Sequence, residues 1–321
     1  MPYEMERNLG LDLTRATEAT AINAARWMGL GKYQQADQDA TQAMLAVLNT
    51  ININGVFVIG DEEKVNSGSL IKSGVRVGAG GGPKMDLAVD AIDGLAMLAQ
   101  GRSGAMAVAA LAPKGSMWSP KPARYMQKIV VSRRVGAALV DECLDAPAAW
   151  TLALVARLED KPLPDMTVFV LDRPRHAELI EEIRTAGARV MLRSDGDISG
   201  ALLAALPDDQ VDLMIGIGGA NEALIAAGAV KALGGAMLVR LAPQSQEEAL
   251  KVQQAGHELG KVLTCDDLMA ENHFFFTATG ITTGSLLKGV RYRGPIAETQ
   301  SLVLRGETGT RRIINAEVRI G

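Results

Sequence analysis

The sequence predicts a protein of the α/β class, and two observations carry that prediction. From about residue 165 onward, short apolar segments alternate with helical patterns, which is typical of βαβ units and a mainly parallel sheet. The composition points the same way, because the 321 residues include 34 glycines and only 4% aromatic residues. A core of small aliphatic side chains suits closely packed layers of helix and sheet.

The first part of the chain begins with two helical patterns. Apolar residues recur on one face over residues 9–28, and Gly29 predicts the end of that helix. Asp37 is the predicted N-cap of a second helix. Strands are then predicted at Val56–Ile59, Met85–Val89, Gly104–Leu111 and Ile129–Val131.

The alternating region and the C-terminal part complete the set of predicted elements. Strands are predicted at Thr167–Leu171, Ala188–Leu192, Val211–Ile215, Met237–Leu241, His273–Thr277, Ser301–Arg305 and Arg312–Ile320. Helices are predicted at His176–Ala186, Ile198–Leu206 and Ala220–Leu233. The proline-containing segment Lys161–Pro164 is the predicted boundary between two halves, residues 1–160 and 161–321.

Charge and composition exclude several classes of protein. The 33 basic and 37 acidic residues give a net charge of −4, so no nucleic-acid partner and no anionic membrane is expected. The longest apolar runs, such as Ala105–Ala112, are far shorter than the ~20 residues that span a bilayer. Two cysteines, Cys143 and Cys265, favour the reducing cytoplasm. The charged N-terminus predicts no signal peptide, and His176 and His273 are interpreted as packing or hydrogen-bonding residues.

Asp90 and Asp93 are the most informative side chains for chemistry. They follow the apolar segment Met85–Val89, and a three-residue step across a strand-to-helix turn aims both carboxylates at one point. Gly94 lets backbone N–H groups approach an anion there. Carboxylate oxygens are the ligands that Mg²⁺ and Mn²⁺ prefer, and these cations bring phosphate with them. The alternative is a solvated pair that caps the next helix, because Asp is common at such turns.

Further acidic residues strengthen the metal hypothesis. Asp37, Asp61 and Glu222 also stand at the ends of apolar elements. Several carboxylates in such positions suit a site for two or three metal ions in phosphoryl transfer. The neighbouring Glu62 and Glu63 are interpreted as a solvated charge run instead.

A phosphate ligand also needs positive charge. Arg173-Pro174-Arg175 lies between a predicted strand and a helix, and arginine makes bidentate contacts to phosphate. A solvated surface turn is the alternative. Asp195 and Asp197 follow the next strand, where they either accept hydrogen bonds from sugar hydroxyls or form an Asx turn with Asp197 as the helix cap. All these segments follow strands, and ligands bind at the carboxyl ends of strands in open α/β sheets.

The order of motifs resembles that of the GlpX-type, or class II, fructose-1,6-bisphosphatases over nearly the whole chain. The stretches that carry the resemblance are Arg15-Ala-Thr-Glu-Ala, Arg26-Trp-Met-Gly, Ala36-Asp37, Val58-Ile-Gly, Ala88-Val-Asp-Ala-Ile-Asp-Gly, Tyr125-Met-Gln-Lys, Arg173-Pro-Arg-His, Asp195-Gly-Asp, Gly216-Ile-Gly-Gly-Ala-Asn-Glu222, Thr277-Ala-Thr-Gly-Ile-Thr and Gly284-Ser-Leu-Leu-Lys-Gly. Residues Asp90–Leu95 also resemble the D-P-I-D-G-T signature of the lithium-sensitive sugar and inositol phosphatases. The resemblance implies a layered α/β/α/β/α sandwich with two tightly packed halves.

The same resemblance implies hydrolysis of the C1 phosphate of a sugar bisphosphate with Mn²⁺ or Mg²⁺, as in the conversion of fructose 1,6-bisphosphate to fructose 6-phosphate in gluconeogenesis. It places the family's metal ligands at Asp37, Asp61, Asp90, Asp93 and Glu222. It places substrate-binding positions at Asp93, Gly94, Leu95, Tyr125, Arg173, Pro174, Arg175, Asp195, Gly196, Asp197 and Gly219. Catalytic positions fall on Asp37, Asp93 and Leu95.

The resemblance also assigns roles to the two halves. Residues 1–160 are expected to bind metal and phosphate, and residues 161–321 are expected to bind the sugar. The resemblance also implies a homo-oligomer, either a dimer or a tetramer, because members of this family usually form homo-oligomers.

Several positions depart from the family's pattern. Asp61 and Asp93 stand where the family has Glu, and Leu95 stands where it has Thr. Tyr33 replaces a lysine and Val65 replaces an acid. A leucine has no hydroxyl to hold the attacking water or to contact phosphate. Two alternatives to an active sugar-bisphosphate phosphatase are therefore a weak or inactive paralogue that binds sugar phosphates or acts as a regulatory subunit, and an inositol-phosphate phosphatase.

Overall fold

A computed structural model describes residues 9–60, 70–206 and 210–320 of the chain. The chain forms two compact units, which are Met1–Met117 together with Glu271–Gly321, and Trp118–Ala270. The predicted boundary at Lys161–Pro164 lies inside the second unit. The chain re-enters the first unit after residue 270 because its C-terminal strands pair with strands of that unit. Which ligand each half binds stays a prediction.

The described residues form the following helices and strands. The helices are α1 Leu9–Ala25, α2 Tyr33–Leu48, α3 Leu95–Ala99, α4 Arg133–Gly136, α5 Ala148–Glu159, α6 Ala177–Thr185, α7 Asp197–Ala205, α8 Ala220–Ala232, α9 Gln246–Gln254 and α10 Cys265–Leu268. The strands are β1 Asn54–Ile59, β2 Arg76–Val77, β3 Lys84–Asp93, β4 Met106–Pro113, β5 Tyr125–Val131, β6 Thr167–Leu171, β7 Arg189–Arg193, β8 Leu213–Gly219, β9 Ala236–Leu241, β10 Val262–Thr264, β11 Phe275–Gly280, β12 Arg291–Arg293, β13 Ile296–Arg305 and β14 Thr310–Arg319.

The first unit is built on a mixed sheet in the order β12-β13-β11-β4-β3-β1-β2, with β14 paired to β13. Strands β1 and β3 are parallel, and their neighbours in the sheet run antiparallel. Helix α1 packs against β11, β13 and β4. Its apolar residues Leu9 and Leu13 are buried, and the hydroxyl of Thr17 lies 2.8 Å from that of Thr279 on β11. Of the C-terminal strands predicted from sequence, β11 and β13 therefore contribute to the core of this unit, whereas β14 has no buried residue.

The start of α2 differs from the prediction. The helix begins at Tyr33 with Lys32 as its N-cap, and Lys32 makes no capping hydrogen bond through its side chain. Asp37 lies one turn inside the helix and is buried, so the predicted N-cap at Asp37 is wrong. Residues 33–36, which precede Asp37, already have helical backbone, and Gln34, Gln35 and Ala36 are favourable helix residues.

The second unit contains a six-stranded sheet in the order β10-β9-β5-β8-β6-β7. The expected mainly parallel sheet is wrong for this unit. Strand β6 is parallel to β7 and to β8, but β5 runs antiparallel between β8 and β9. The reason is that β5 comes from residues 125–131, before the alternating region, and inserts into the middle of the strands that this region supplies.

Helices enclose the core of the second unit. Ile129 and Val131 of β5 share a hydrophobic cluster with Leu152 of α5 and Ile183 of α6. Helices α7 and α8 pack against each other and on β5 and β8. Both units thus combine sheet and helix as the α/β class requires. Among the helices that the structure describes, none has the length and apolar character needed to cross a membrane.

Candidate active site

Asp90 and Asp93 lie on β3 at an irregularity of the sheet. Asp90 is opposite Val108 of β4 and Asp93 is opposite Met106, so β3 takes three residue steps where β4 takes two. An extra residue of this kind bends a strand and re-aims its side chains. The strand ends at Asp93, and the next residue, Gly94, has a φ of 94°, in the left-handed region. A side chain at Gly94 would also overlap Met97, so this tight exit requires glycine.

The three described candidate carboxylates of the first unit, Asp37, Asp90 and Asp93, are buried. The exposed fractions are 8% for Asp37, 4% for Asp90 and 3% for Asp93. The Oδ1 atom of Asp90 accepts a hydrogen bond from Ile92 N at 2.9 Å. The alternative of a solvated, helix-capping pair is therefore wrong. Buried carboxylates are retained where hydrogen bonds or a cation compensate their charge, and an all-oxygen donor set fits a hard divalent cation.

The described residues contain no group of three or more His, Cys, Asp or Glu side chains close enough to hold a metal ion. Asp61, with Glu62, Glu63 and Val65, lies outside the described residues. Helix α2, which carries Asp37, packs against β3. The assignment of Asp37, Asp61, Asp90 and Asp93 as metal ligands accordingly stays a prediction.

Leu95 is the first residue of α3 and belongs to the hydrophobic core of the first unit. It is 9% exposed and shares a cluster with Leu98 and Ala105. Its isobutyl group can neither donate nor accept a proton, so the predicted catalytic role at this position has no chemical basis in the side chain itself. Tyr33, at another departure from the family pattern, is exposed, and its hydroxyl accepts a hydrogen bond from Gln100 Nε2 at 3.2 Å.

The predicted substrate-binding segments of the second unit meet at one edge of its sheet. Three of these segments lie at the carboxyl ends of parallel strands. Strand β6 is followed by Arg173–Arg175, strand β7 is followed by Asp195–Asp197, and strand β8 ends at Gly219. Tyr125 begins the antiparallel strand β5 and is directly opposite Gly219. The structure therefore brings these segments to the position that open α/β sheets use for ligands.

The two arginines of this edge are held by backbone carbonyls. Arg175 donates from Nε and Nη2 to the carbonyl oxygen of Ile217, at 3.2 and 2.8 Å. Its guanidinium lies over the ring of Tyr125, 5.1 Å from the ring centroid. Arg173 donates from Nη1 to Ser194 O at 2.6 Å. Burial lowers the pKa of the Arg175 guanidinium, which nevertheless stays charged because arginine does not lose its proton in proteins.

Asp197 does not cap α7, so that alternative is wrong. The N-cap is Gly196, with a φ of 91°, and Asp197 is the first helical residue. The Oδ2 atom of Asp197 instead accepts hydrogen bonds from Lys128 Nζ at 2.6 Å and from Gly219 N at 3.0 Å. The Oδ1 atom of Asp195 accepts a hydrogen bond from Gly196 N at 3.1 Å. This contact reaches the next residue, whereas an Asx turn reaches the N–H two residues on.

Lys128 also belongs to this edge and was not predicted from the sequence. Lys128 lies in the middle of β5, within the motif Tyr125-Met-Gln-Lys. The available signal was a charged residue directly before the apolar segment Ile129–Val131. Glu222, a predicted metal ligand, is in the first turn of α8 and beside Gly219, where an added Cβ would overlap its carboxylate. Its role as a ligand stays a prediction.

His176 joins the ends of two strands through both of its ring nitrogens. Nδ1 lies 2.7 Å from Leu171 O, and Nε2 accepts from Ile217 N at 2.8 Å. These partners require a proton on Nδ1 and a lone pair on Nε2, which is the neutral ring. The interpretation of His176 as a hydrogen-bonding residue is confirmed.

We expect protonation of His176 to destabilise the protein below neutral pH. Burial, with a smaller contribution from the charges of Arg175 and Arg173, holds the pKa of His176 below its ordinary value of 6.5, although the Leu171 carbonyl and Asp197 act in the opposite direction. The unfolded chain therefore binds this proton more readily, so the stabilisation is complete above the unfolded pKa and is lost as the pH falls through the folded pKa.

The measurement is the midpoint of thermal unfolding from about pH 8 down to about pH 5.5, across the range in which histidine titrates. His176→Gln should flatten the decline on the acidic side, whereas His273→Gln, at a half-exposed histidine of the first unit, should leave it in place. An equal slope in the parent and His176→Gln would remove His176 as its source.

Comparison with known proteins decides the family. The family model described as bacterial fructose-1,6-bisphosphatase, glpX-encoded, matches residues 7–318. The chain belongs to the GlpX-type class II fructose-1,6-bisphosphatase family. It is 39% identical to the class 2 fructose-1,6-bisphosphatase of Haemophilus influenzae over 97% of this chain and 96% of the relative. It is 36% identical to fructose-1,6-bisphosphatase 1 class 2 of Escherichia coli strain K12, over 97% of this chain and 95% of the relative. The resemblance predicted from the motifs is thereby confirmed.

Proposed function

We propose that this member of the class II family hydrolyses the C1 phosphate of fructose 1,6-bisphosphate and releases fructose 6-phosphate and inorganic phosphate. The family match over residues 7–318 supports the reaction. The observation that carries the proposal to this chain is the pair of buried carboxylates, Asp90 and Asp93, at the irregularity in β3. The alternative of a weak or inactive paralogue is not favoured, since the relatives over nearly the full length are named as class 2 fructose-1,6-bisphosphatases.

We assign the divalent cation, Mn²⁺ or Mg²⁺, to the acidic residues. Asp90, Asp93 and Asp37 offer carboxylate oxygens in a buried setting of the first unit. Asp61 and Glu222 are the two other ligand positions that the family resemblance implies. When bound, the cation would supply charge stabilisation and a stronger water nucleophile for phosphoryl transfer. The carboxylates of the chain would hold it, orient it and exclude bulk water around it.

The second unit supplies the proposed recognition of sugar and phosphate. Arg175 and Arg173 present guanidinium groups suited to a phosphate, with orientations fixed by Ile217 O and Ser194 O. Asp195 and Asp197 offer carboxylate acceptors for sugar hydroxyls. These residues bind and position the substrate. Neither role requires a proton transfer between the residues and the substrate.

A panel of substrates tests the proposed specificity. We expect the purified protein to release phosphate from fructose 1,6-bisphosphate, with fructose 6-phosphate as the sugar product identified by a coupled isomerase and dehydrogenase assay. Sedoheptulose 1,7-bisphosphate tests whether the sugar site accepts a longer chain. Release from inositol 1-phosphate in place of the sugar bisphosphates would instead support the neighbouring class of enzyme.

We propose that the protein is a homo-oligomer, either a dimer or a tetramer, as is usual in this family. We also propose a location in the reducing cytoplasm, because the two cysteines are free thiols. Cys143 and Cys265 are both buried, and burial raises the pKa of the Cys265 thiol to about 12. Light scattering on the purified protein measures the oligomeric state directly.

A further inference from the structure

Lys128 is a buried cation in the middle of a sheet. The residue is 1% exposed and belongs to β5, whose neighbours Ile129, Val130 and Val131 are fully buried aliphatic residues. Moving an ammonium group out of water is costly unless a partner compensates the charge. A buried pair is often no more stable than hydrophobic residues of similar volume. Stability alone therefore does not explain why a lysine is buried at this position beside the proposed sugar site.

The contacts of Lys128 connect two segments of the proposed substrate site. Nζ donates to Asp197 Oδ2 at 2.6 Å and to Gly219 O at 3.2 Å. Gly219 N donates in turn to the same Oδ2 atom at 3.0 Å. One ammonium group thus joins the beginning of α7 to the end of β8, and the carboxylate of Asp197 is fixed through one of its two oxygens.

The other oxygen of Asp197 has unused hydrogen-bonding capacity. Oδ1 is buried and has no hydrogen-bond partner among the residues that the structure describes. Asp197 is 5% exposed, and buried polar atoms are rarely left without partners. A hydroxyl group of a bound sugar is a donor of the right type for this oxygen.

We infer that Lys128 is a positioning residue for sugar binding: it fixes Asp197 through Oδ2 and Gly219 so that Oδ1 accepts a hydrogen bond from a hydroxyl of the sugar bisphosphate. The inference rests on the proposed function for the identity of the sugar. Lys128 itself does not touch the substrate and acts only through Asp197.

Replacing Lys128 with methionine removes the ammonium group and keeps an unbranched side chain. We expect Lys128→Met to raise KM for fructose 1,6-bisphosphate about tenfold, the usual effect of losing one hydrogen bond to a charged group. The kcat value should change little, because a sugar hydroxyl away from the reacting phosphate is bound equally in the ground and transition states. Competitive inhibition by inorganic phosphate should be unchanged, since phosphate has no sugar hydroxyl for Asp197.

The second unit offers a matched control. Lys161 forms another Lys–Asp pair, with both carboxylate oxygens of Asp212 at 2.8 Å, and Asp212 lies before β8, at the opposite end of that strand from Gly219. Lys161→Met should affect thermal stability without changing KM. If Lys161→Met raises KM as much as Lys128→Met, the effect comes from the loss of any Lys–Asp pair in this unit, and the inference is wrong.

Gly218→Ala perturbs Asp197 by a second route. A Cβ at residue 218 would overlap the Asp197 carboxylate, so the side chain must move although no charge changes. We expect the same rise in KM with unchanged phosphate inhibition, and this variant keeps the test available if Lys128→Met does not fold. An unchanged KM in a folded variant of either kind would overturn the inference.

The outcome also separates this inference from the proposed function. If the parent does not hydrolyse fructose 1,6-bisphosphate, the proposed function fails, and calorimetric affinity for fructose 6-phosphate replaces KM as the readout for Lys128. If the parent is active and Lys128→Met has an unchanged KM, the positioning role alone fails. Equal increases in KM and in the phosphate inhibition constant would show a general disruption and would also contradict the positioning role.

Discussion

Asp90→Asn should nearly abolish both divalent-cation binding and phosphatase activity. The substitution keeps the size of the side chain and the acceptor for Ile92 N, but it removes the negative charge that a hard cation requires. A metal ion contributes several kcal/mol to transition-state stabilisation, so we expect kcat to fall by about 10³-fold. The measurements are calorimetric titration with Mn²⁺ and steady-state turnover of fructose 1,6-bisphosphate.

Asp86→Asn is the matched control on the same strand. Asp86 is also buried, but its oxygens accept from Lys114 Nζ at 2.9 Å and Gly115 N at 2.7 Å, so its role is to hold the turn after β4. This variant should lose thermal stability and keep its affinity for Mn²⁺. Unchanged Mn²⁺ affinity in Asp90→Asn would remove Asp90 from the metal site.

Arg175→Ala should weaken substrate binding by at least about tenfold. A hydrogen bond to a charged group contributes about 1.5–3 kcal/mol, which corresponds to roughly 10- to 150-fold in affinity. Because Ile217 O and the ring of Tyr125 already hold the guanidinium, little entropy is lost when phosphate binds, and the effect should approach the upper part of that range. The measurements are KM and calorimetric affinity for fructose 1,6-bisphosphate.

Arg189→Ala controls for the loss of one positive charge from the same unit. Arg189 begins β7, at the opposite edge of the sheet from Arg175, and its ion pair with Asp165 is exposed to solvent. Such surface pairs contribute little, so KM should stay at the parent value. If Arg175→Ala binds the substrate as well as Arg189→Ala does, the phosphate assignment is wrong.

Local sequence patterns predicted most strands and helices of the alternating region because those elements are defined by short-range periodicity. The strand Thr167–Leu171 is found with the bounds that the sequence predicts. Pairing between distant segments was not predictable in this way: β5 lies between β8 and β9 although about eighty residues separate it from β8 along the chain. The alternation of strands and helices along the chain predicted parallel strands, and this prediction is wrong where β5 inserts between β8 and β9.

In the candidate site too, features defined by neighbouring residues were predicted from the sequence, whereas contacts between distant residues were not. Segments that follow strands, such as Arg173–Arg175 and Asp195–Asp197, were found because turn residues after apolar strands are visible in the sequence. The pairing of Lys128 with Asp197 spans 69 positions and depends on the register of β5, so no local pattern predicts it. Asp37 was recognised as a candidate ligand, but its capping role was wrong because helix starts are poorly defined by sequence.

The most direct test of the account is the initial rate of phosphate release from fructose 1,6-bisphosphate by the purified parent protein, with Mn²⁺, with Mg²⁺ and with excess chelator. We predict sustained turnover with at least one of the two cations, loss of turnover with chelator, and recovery when the cation is restored. A protein that binds fructose 1,6-bisphosphate but releases no phosphate under any of these conditions would contradict the assignment as a phosphatase.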